Sequence, residues 1–164
     1  MNDNLEFVLR TLSIGLGATL VMDTWAWGLR RFGIPSLDFA LLGRWVGHFQ
    51  RGQLFHEKIA TSAPIRGERA LGWITHYAIG VAFSALLLGV CGLTWARAPS
   101  PLPALLIGIG TVFAPLFVLQ PALGAGIASS RTPRPLFNSL KSLMTHVVFG
   151  FGMYLAAQAG AHFR

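Results

Sequence analysis

The chain has 164 residues, 53% of them hydrophobic and 12% charged, with a formal charge of +7. Soluble domains carry about 25% charged residues, so this composition, with a mean hydropathy of +0.56, excludes an ordinary soluble domain and predicts a single membrane domain over residues 1–164 with about four spans. The positive charge does not point to nucleic acid, because Lys and Arg gather between the apolar runs, where anionic headgroups of the lipid bilayer are their partners. One cysteine, Cys91, excludes an internal disulfide and any multi-cysteine metal site.

The first apolar run predicts a span over residues 5–29. Asp3 and Glu6 precede Arg10, the reverse of a signal peptide's basic start, so the span is expected to be retained. Arg10 is expected to reach outward along its own stem. Asp23 lies deeper, and steps of four back from it meet Thr19, Gly15 and Thr11, a small and polar stripe. Trp25 and Trp27 read as interface anchors, and the helix is expected to stop before Gly33-Ile34-Pro35, because proline disfavours helix in the residue before it. Residues 36–50 then predict an amphipathic helix capped by Ser36. Leu37, Leu41, Leu42, Trp45, Val46 and Phe49 fall on one side, with Asp38, Arg44, His48 and Arg51 elsewhere. Too polar to span, it is expected in the interface plane or against the end of the bundle. From Phe55 to Arg69 the chain reads as irregular with short helical pieces; His56, Glu57 and Glu68 read as solvated or lipid-facing loop residues.

The second span is predicted over residues 70–93, with Gly72, Gly80 and Ser84 on the face of His76. The third is predicted over 102–128, since no charged residue occurs between Arg97 and Arg131. Pro115 and Pro121 predict kinks, and Gln120-Pro121 followed by Gly124 and Gly126 predicts a bent or partly unwound end. The fourth span is predicted over 136–160, with Lys141 near its start able to reach the surface along its own stem. It repeats Ser142, His146, Gly150, Tyr154 and Gln158 at every fourth residue, beside a small-residue row of Gly152, Ala156 and Gly160. Ten of the thirteen basic residues fall in the connections after the first and third spans; Arg10, Arg97 and Arg164 fall on the other side. This bias places both connections in the cytoplasm and both chain ends on the outer side of the membrane. The expected fold is all-α: an integral membrane four-helix bundle with an additional cytoplasmic interfacial amphipathic helix.

Counted from the cytoplasmic ends of their spans, Asp23, His76, Gln120 and His146 lie about six to ten residues in, a depth of roughly 9–15 Å. Thr19, Thr75, Ser142 and Thr145 fall near them. Intramembrane ionisable residues are costly and are usually paired or functional. Such a set admits three roles. One is an interhelical hydrogen-bond cluster, with contacts each worth on the order of 1 kcal/mol. The second is a site for a proton, a small solute or a divalent metal such as zinc, with Asp23, His76 and His146 as ligands and Gln120 as an oxygen donor. The third is haem b with His76 and His146 as axial ligands. The intramembrane polar site of Asp23, His76, Gln120, His146, Thr19 and Ser142 is the expectation taken forward. No phosphate-binding loop, nucleophile elbow or paired carboxylate indicates an enzyme.

Taken together, Gly67-Glu68-Arg69, Gly72-Trp73, His76-Tyr77, Gln120-Pro121 with Gly124 and Gly126, Ser130 with Thr132-Pro133, and Ser142, His146, Phe149-Gly150 and Tyr154 resemble a bacterial inner-membrane family. That family is known only as domain of unknown function 2938. The resemblance covers nearly the whole chain and implies a small inner-membrane protein of about four spans, with no assigned activity to carry over.

Overall fold

The computed structural model describes residues 2–162. Arg164, one of the basic residues expected on the outer side, lies outside the described residues. Among the described residues there are helices and turns but no strand. The main helices are α1 (Asp3–Arg31), α2 (Phe39–His48), α3 (Glu68–Arg97), α4 (Pro101–Thr111), α5 (Gln120–Ala122) and α6 (Pro135–His162), with a π-helical segment, Ala114–Leu119, between α4 and α5. Four stretches are long and apolar enough to cross a membrane: Asp3–Arg31, Glu68–Arg97, Pro101–Ala122 and Pro135–Ala161. α1 ends ahead of Gly33-Ile34-Pro35, as the proline requires.

The chain packs as two compact units. The first comprises Met1–Ile34, Tyr77–Thr111 and Thr145–Arg164; the second comprises Pro35–His76 and Val112–Met144.

In the first unit the core is built by Ile14, Ala18, Leu87, Leu88, Phe149 and Met153. Small residues let its helices touch backbone to backbone. A Cβ on Gly15 would lie 2.6 Å from Val81 Cα, and one on Gly108 would lie 2.6 Å from Gly150 Cα, so the glycines predicted on small faces are used for close crossings. The polarity of this unit is inverted. Leu5, Leu9, Leu12, Leu16 and Leu20 on α1 are 42–60% exposed, whereas Thr11, Thr19, Ser84 and Thr111 are at most 7% exposed. At one end Glu6 accepts from Arg10 Nε (2.8 Å) and from Arg97 (2.6 Å), and Arg10 also donates to the Ala96 carbonyl (2.9 Å). Arg10 therefore does not reach outward. It is 9% exposed because Glu6, one turn away, supplies the counter-charge that makes burial tolerable.

In the second unit α2 is capped by Asp38, not Ser36: the Asp38 carboxylate accepts from Ala40 N at 2.9 Å. α2 packs on the first turns of α3 through Phe39, which lies against Trp73 and His76, and through Gly43 and Gly72, which bring the two backbones together. The third apolar stretch is irregular for a stated reason. Pro115 cannot donate to the Thr111 carbonyl, and α4 stops at Thr111; Pro121 removes a second donor, and the intervening turn widens to π geometry. Helix ends at Ala122, short of the Ala128 end expected from hydropathy. Gly124 (φ +92°), Gly126 (φ +76°), Ala128 (φ +48°) and Ser129 (φ +60°) take left-handed backbone there, which no α-helix contains. The irregular segment before α3 is tied to this break by His56 N to Ala122 O (2.9 Å) and Ile59 N to Leu123 O (3.1 Å).

Candidate functional site

The polar residues expected in one intramembrane site divide between the units. Asp23, Thr19 and His146 belong to the first; His76, Gln120 and Ser142 belong to the second. In the first unit the Tyr77 hydroxyl donates to Asp23 Oδ2 (3.0 Å). Thr19, fully buried, donates to its own helix at Gly15 O (2.8 Å). The Thr111 hydroxyl lies 2.9 Å from His146 Nδ1 and 2.7 Å from Gly108 O, an oxygen it can only donate to. In the second unit Gln120 and Ser142 do come together: the Gln120 amide donates to Ser142 Oγ (3.2 Å) and its carbonyl accepts from Ser129 Oγ (2.9 Å). The His76 ring stacks on Phe39, centroids 4.2 Å apart. Within neither unit do the described residues assemble three or more His, Cys, Asp or Glu side chains that could hold a metal ion.

The second unit contains chemistry that the sequence pattern did not indicate. Arg44 forks onto Glu68, Nε to Oε2 at 2.9 Å and Nη2 to Oε1 at 2.8 Å. This hydrogen-bonded carboxylate raises the Arg44 pKa further above its ordinary value. The remaining guanidinium nitrogen donates to the carbonyls of Ile59, Ala60 and Ser62 at 3.1–3.3 Å. Arg44 thus fixes the irregular segment that carries His56.

His48 and His56 are buried, at 1% and 6% exposure. His48 Nδ1 lies 2.8 Å from His56 Nε2, and His48 Nε2 lies 3.0 Å from the Ala63 carbonyl. With both rings neutral, these contacts fix the tautomers of the pair. A carbonyl only accepts, so His48 carries its hydrogen on Nε2 and its Nδ1 is bare. His56 must then donate from Nε2, which leaves His56 Nδ1 as a lone pair. That atom is buried and has no hydrogen-bond partner among the described residues. His56 lines an open cleft of about 530 Å³ together with Phe55, Glu57, Ile127, Ser130 and Arg131. The left-handed pair Ala128–Ser129 lies between two of these lining residues, and such backbone is disfavoured outside glycine.

Fold and site together define an all-helical protein with four helices long and apolar enough to cross a membrane and a cleft lined in part by His56. The chain belongs to the family described as Protein of unknown function (DUF2938), whose model matches residues 12–159. No curated protein and no solved structure matches the chain.

Proposed function

We propose that this is a four-span integral protein of the bacterial inner membrane, with both chain ends outside and the basic connections in the cytoplasm. There α2 lies among anionic headgroups, and the His56 cleft is the ligand-binding site. The observation that carries the membrane reading is the inversion of the first unit, leucines outward and threonines inward. Water would penalise that arrangement and lipid favours it. A topology experiment tests it. In a Cys91→Ser background, Ser100→Cys is expected to react with a membrane-impermeant maleimide on intact spheroplasts, and Gln53→Cys only after lysis. Release of the protein by carbonate washing refutes membrane integration, and the reverse labelling pattern refutes the orientation.

On this reading Asp23, Gln120 and His146 brace helices rather than hold a solute. What favours bracing is that Tyr77 donates to Asp23, Thr111 pairs with His146, and Gln120 is bonded at both ends of its amide. Gln120→Leu strands the buried Ser129 hydroxyl and is expected to cost about 2 kcal/mol, read as a lower melting temperature in detergent. An unchanged melting temperature would count against bracing.

A further inference from the structure

We infer that the His56 cleft, read above as the ligand site, takes a zwitterion with a primary ammonium and a phosphate: phosphoethanolamine, as a lipid headgroup or as the free compound. Three groups in the cleft define the complement. Arg131 is exposed, and no acid pairs with it among the described residues; its guanidinium suits a phosphate. Glu57 is likewise exposed and unpaired among the described residues, and it offers a carboxylate beside it in the cleft. His56 Nδ1 is buried with no hydrogen-bond partner among the described residues, and in the neutral ring it is open to a donor. A purely anionic ligand satisfies Arg131 but meets Glu57 with like charge. A metal ion would find only His56 and Glu57 as ligands and would face Arg131. A quaternary ammonium has no N–H to donate. A primary ammonium joined to a phosphate satisfies all three groups. Phe55, 71% exposed, and Ile127, 57% exposed, add apolar surface beside the cleft for the rest of an amphiphile.

The test uses the full chain, purified in a neutral detergent and also reconstituted in bilayer discs of phosphatidylcholine containing either phosphatidylethanolamine or phosphatidylglycerol. Retained lipid is counted by native mass spectrometry, and free phosphoethanolamine is titrated into the detergent sample. Phosphatidylethanolamine is expected to be retained over phosphatidylcholine by roughly tenfold, the size of one charge-assisted hydrogen bond. Arg131→Gln is expected to weaken that retention by roughly tenfold, and Glu57→Gln to remove the preference over phosphatidylcholine. Arg134→Gln, at an exposed position outside the cleft, is expected to change nothing. Both cleft substitutions replace exposed side chains, so the melting temperature is expected to hold. Competition by free phosphoethanolamine supports recognition of the headgroup alone; lipid retention without binding of the free compound supports the lipid as the source. Equal retention of phosphatidylethanolamine and phosphatidylcholine by the wild type overturns the inference. Preference for phosphatidylglycerol that still depends on Arg131 overturns the zwitterion but leaves the cleft as the site. Indifference of every lipid to Arg131→Gln overturns the cleft itself.

Discussion

Gly72→Ala is expected to dislodge α2 from the head of α3. A Cβ at residue 72 would fall on the Phe39 carbonyl oxygen, 2.6 Å from the Phe39 carbonyl carbon and 3.1 Å from Gly43 N. These are backbone atoms, so no side-chain rotation relieves the overlap, and α2 has to back away as a body. The retreat pulls Phe39 from Trp73 and His76, whose rings now lie 4.5 and 4.2 Å from it. It also drags Arg44 from Glu68. Overpacking of this kind costs about 3 kcal/mol, well above the gain of up to about 1 kcal/mol that alanine brings a helix over glycine. Gly89→Ala in the same helix separates the two effects, since nothing lies within 4 Å of its added Cβ; it is expected to hold or slightly raise the melting temperature. The measurement is thermal unfolding in detergent, with tryptophan emission reporting on Trp73. If Gly72→Ala melts with Gly89→Ala, the close approach of α2 and α3 is wrong.

The reason these glycines were legible in part lies in the periodicity of the spans. Four dense apolar runs give the helices, and the small rows through Gly15 and Gly150 mark where backbones cross. The Gln120-Pro121 break was also readable, because missing donors are visible in the sequence. The end of that helix was not. Hydropathy stays high through Ile127 and Ala128, and it carries no information about the positive φ values that stop the helix at Ala122. The Glu6–Arg10 pair had a signal, its spacing of four on one helix. By contrast, His48 meets His56, and Arg44 meets Glu68, across an aperiodic segment whose path no spacing rule gives. Equal depth likewise says nothing of direction. Within the units, Tyr77 donates to Asp23, Thr111 lies beside His146, Phe39 stacks on His76 and Gln120 donates to Ser142, partners that depth alone does not name.

The aperiodic segment makes Arg44 the second position of large effect. Its guanidinium makes two bonds to Glu68 and reaches three carbonyls, while Glu68 Oε2 also accepts from Ile65 N at 3.1 Å. Both side chains are mostly shielded, with 12% and 18% of their surface exposed, so losing one partner strands a poorly hydrated charge. Breaking a fully buried pair costs about 3–5 kcal/mol; the residual exposure here lowers the expected cost of Glu68→Gln to about 2 kcal/mol. Arg44→Lys is expected to cost about as much although it keeps the charge, because an ammonium cannot span a carboxylate and three carbonyls at once. The double variant is expected to fall well short of the sum, the mark of one shared interaction. Exchanging the charges, Arg44→Glu with Glu68→Arg, is expected to leave the loss unrepaired, since a carboxylate at residue 44 offers nothing to the carbonyls of Ile59, Ala60 and Ser62. Thermal melting gives the magnitudes, and trypsin cleavage at Lys58 and Arg66 reports the loosening of the segment. Because that segment carries His56, Arg44→Lys is also expected to weaken ligand retention at the cleft without altering any residue that lines it. Wild-type protease resistance in Arg44→Lys would mean that the segment is held by its backbone bonds to Ala122 and Leu123 and not by the guanidinium.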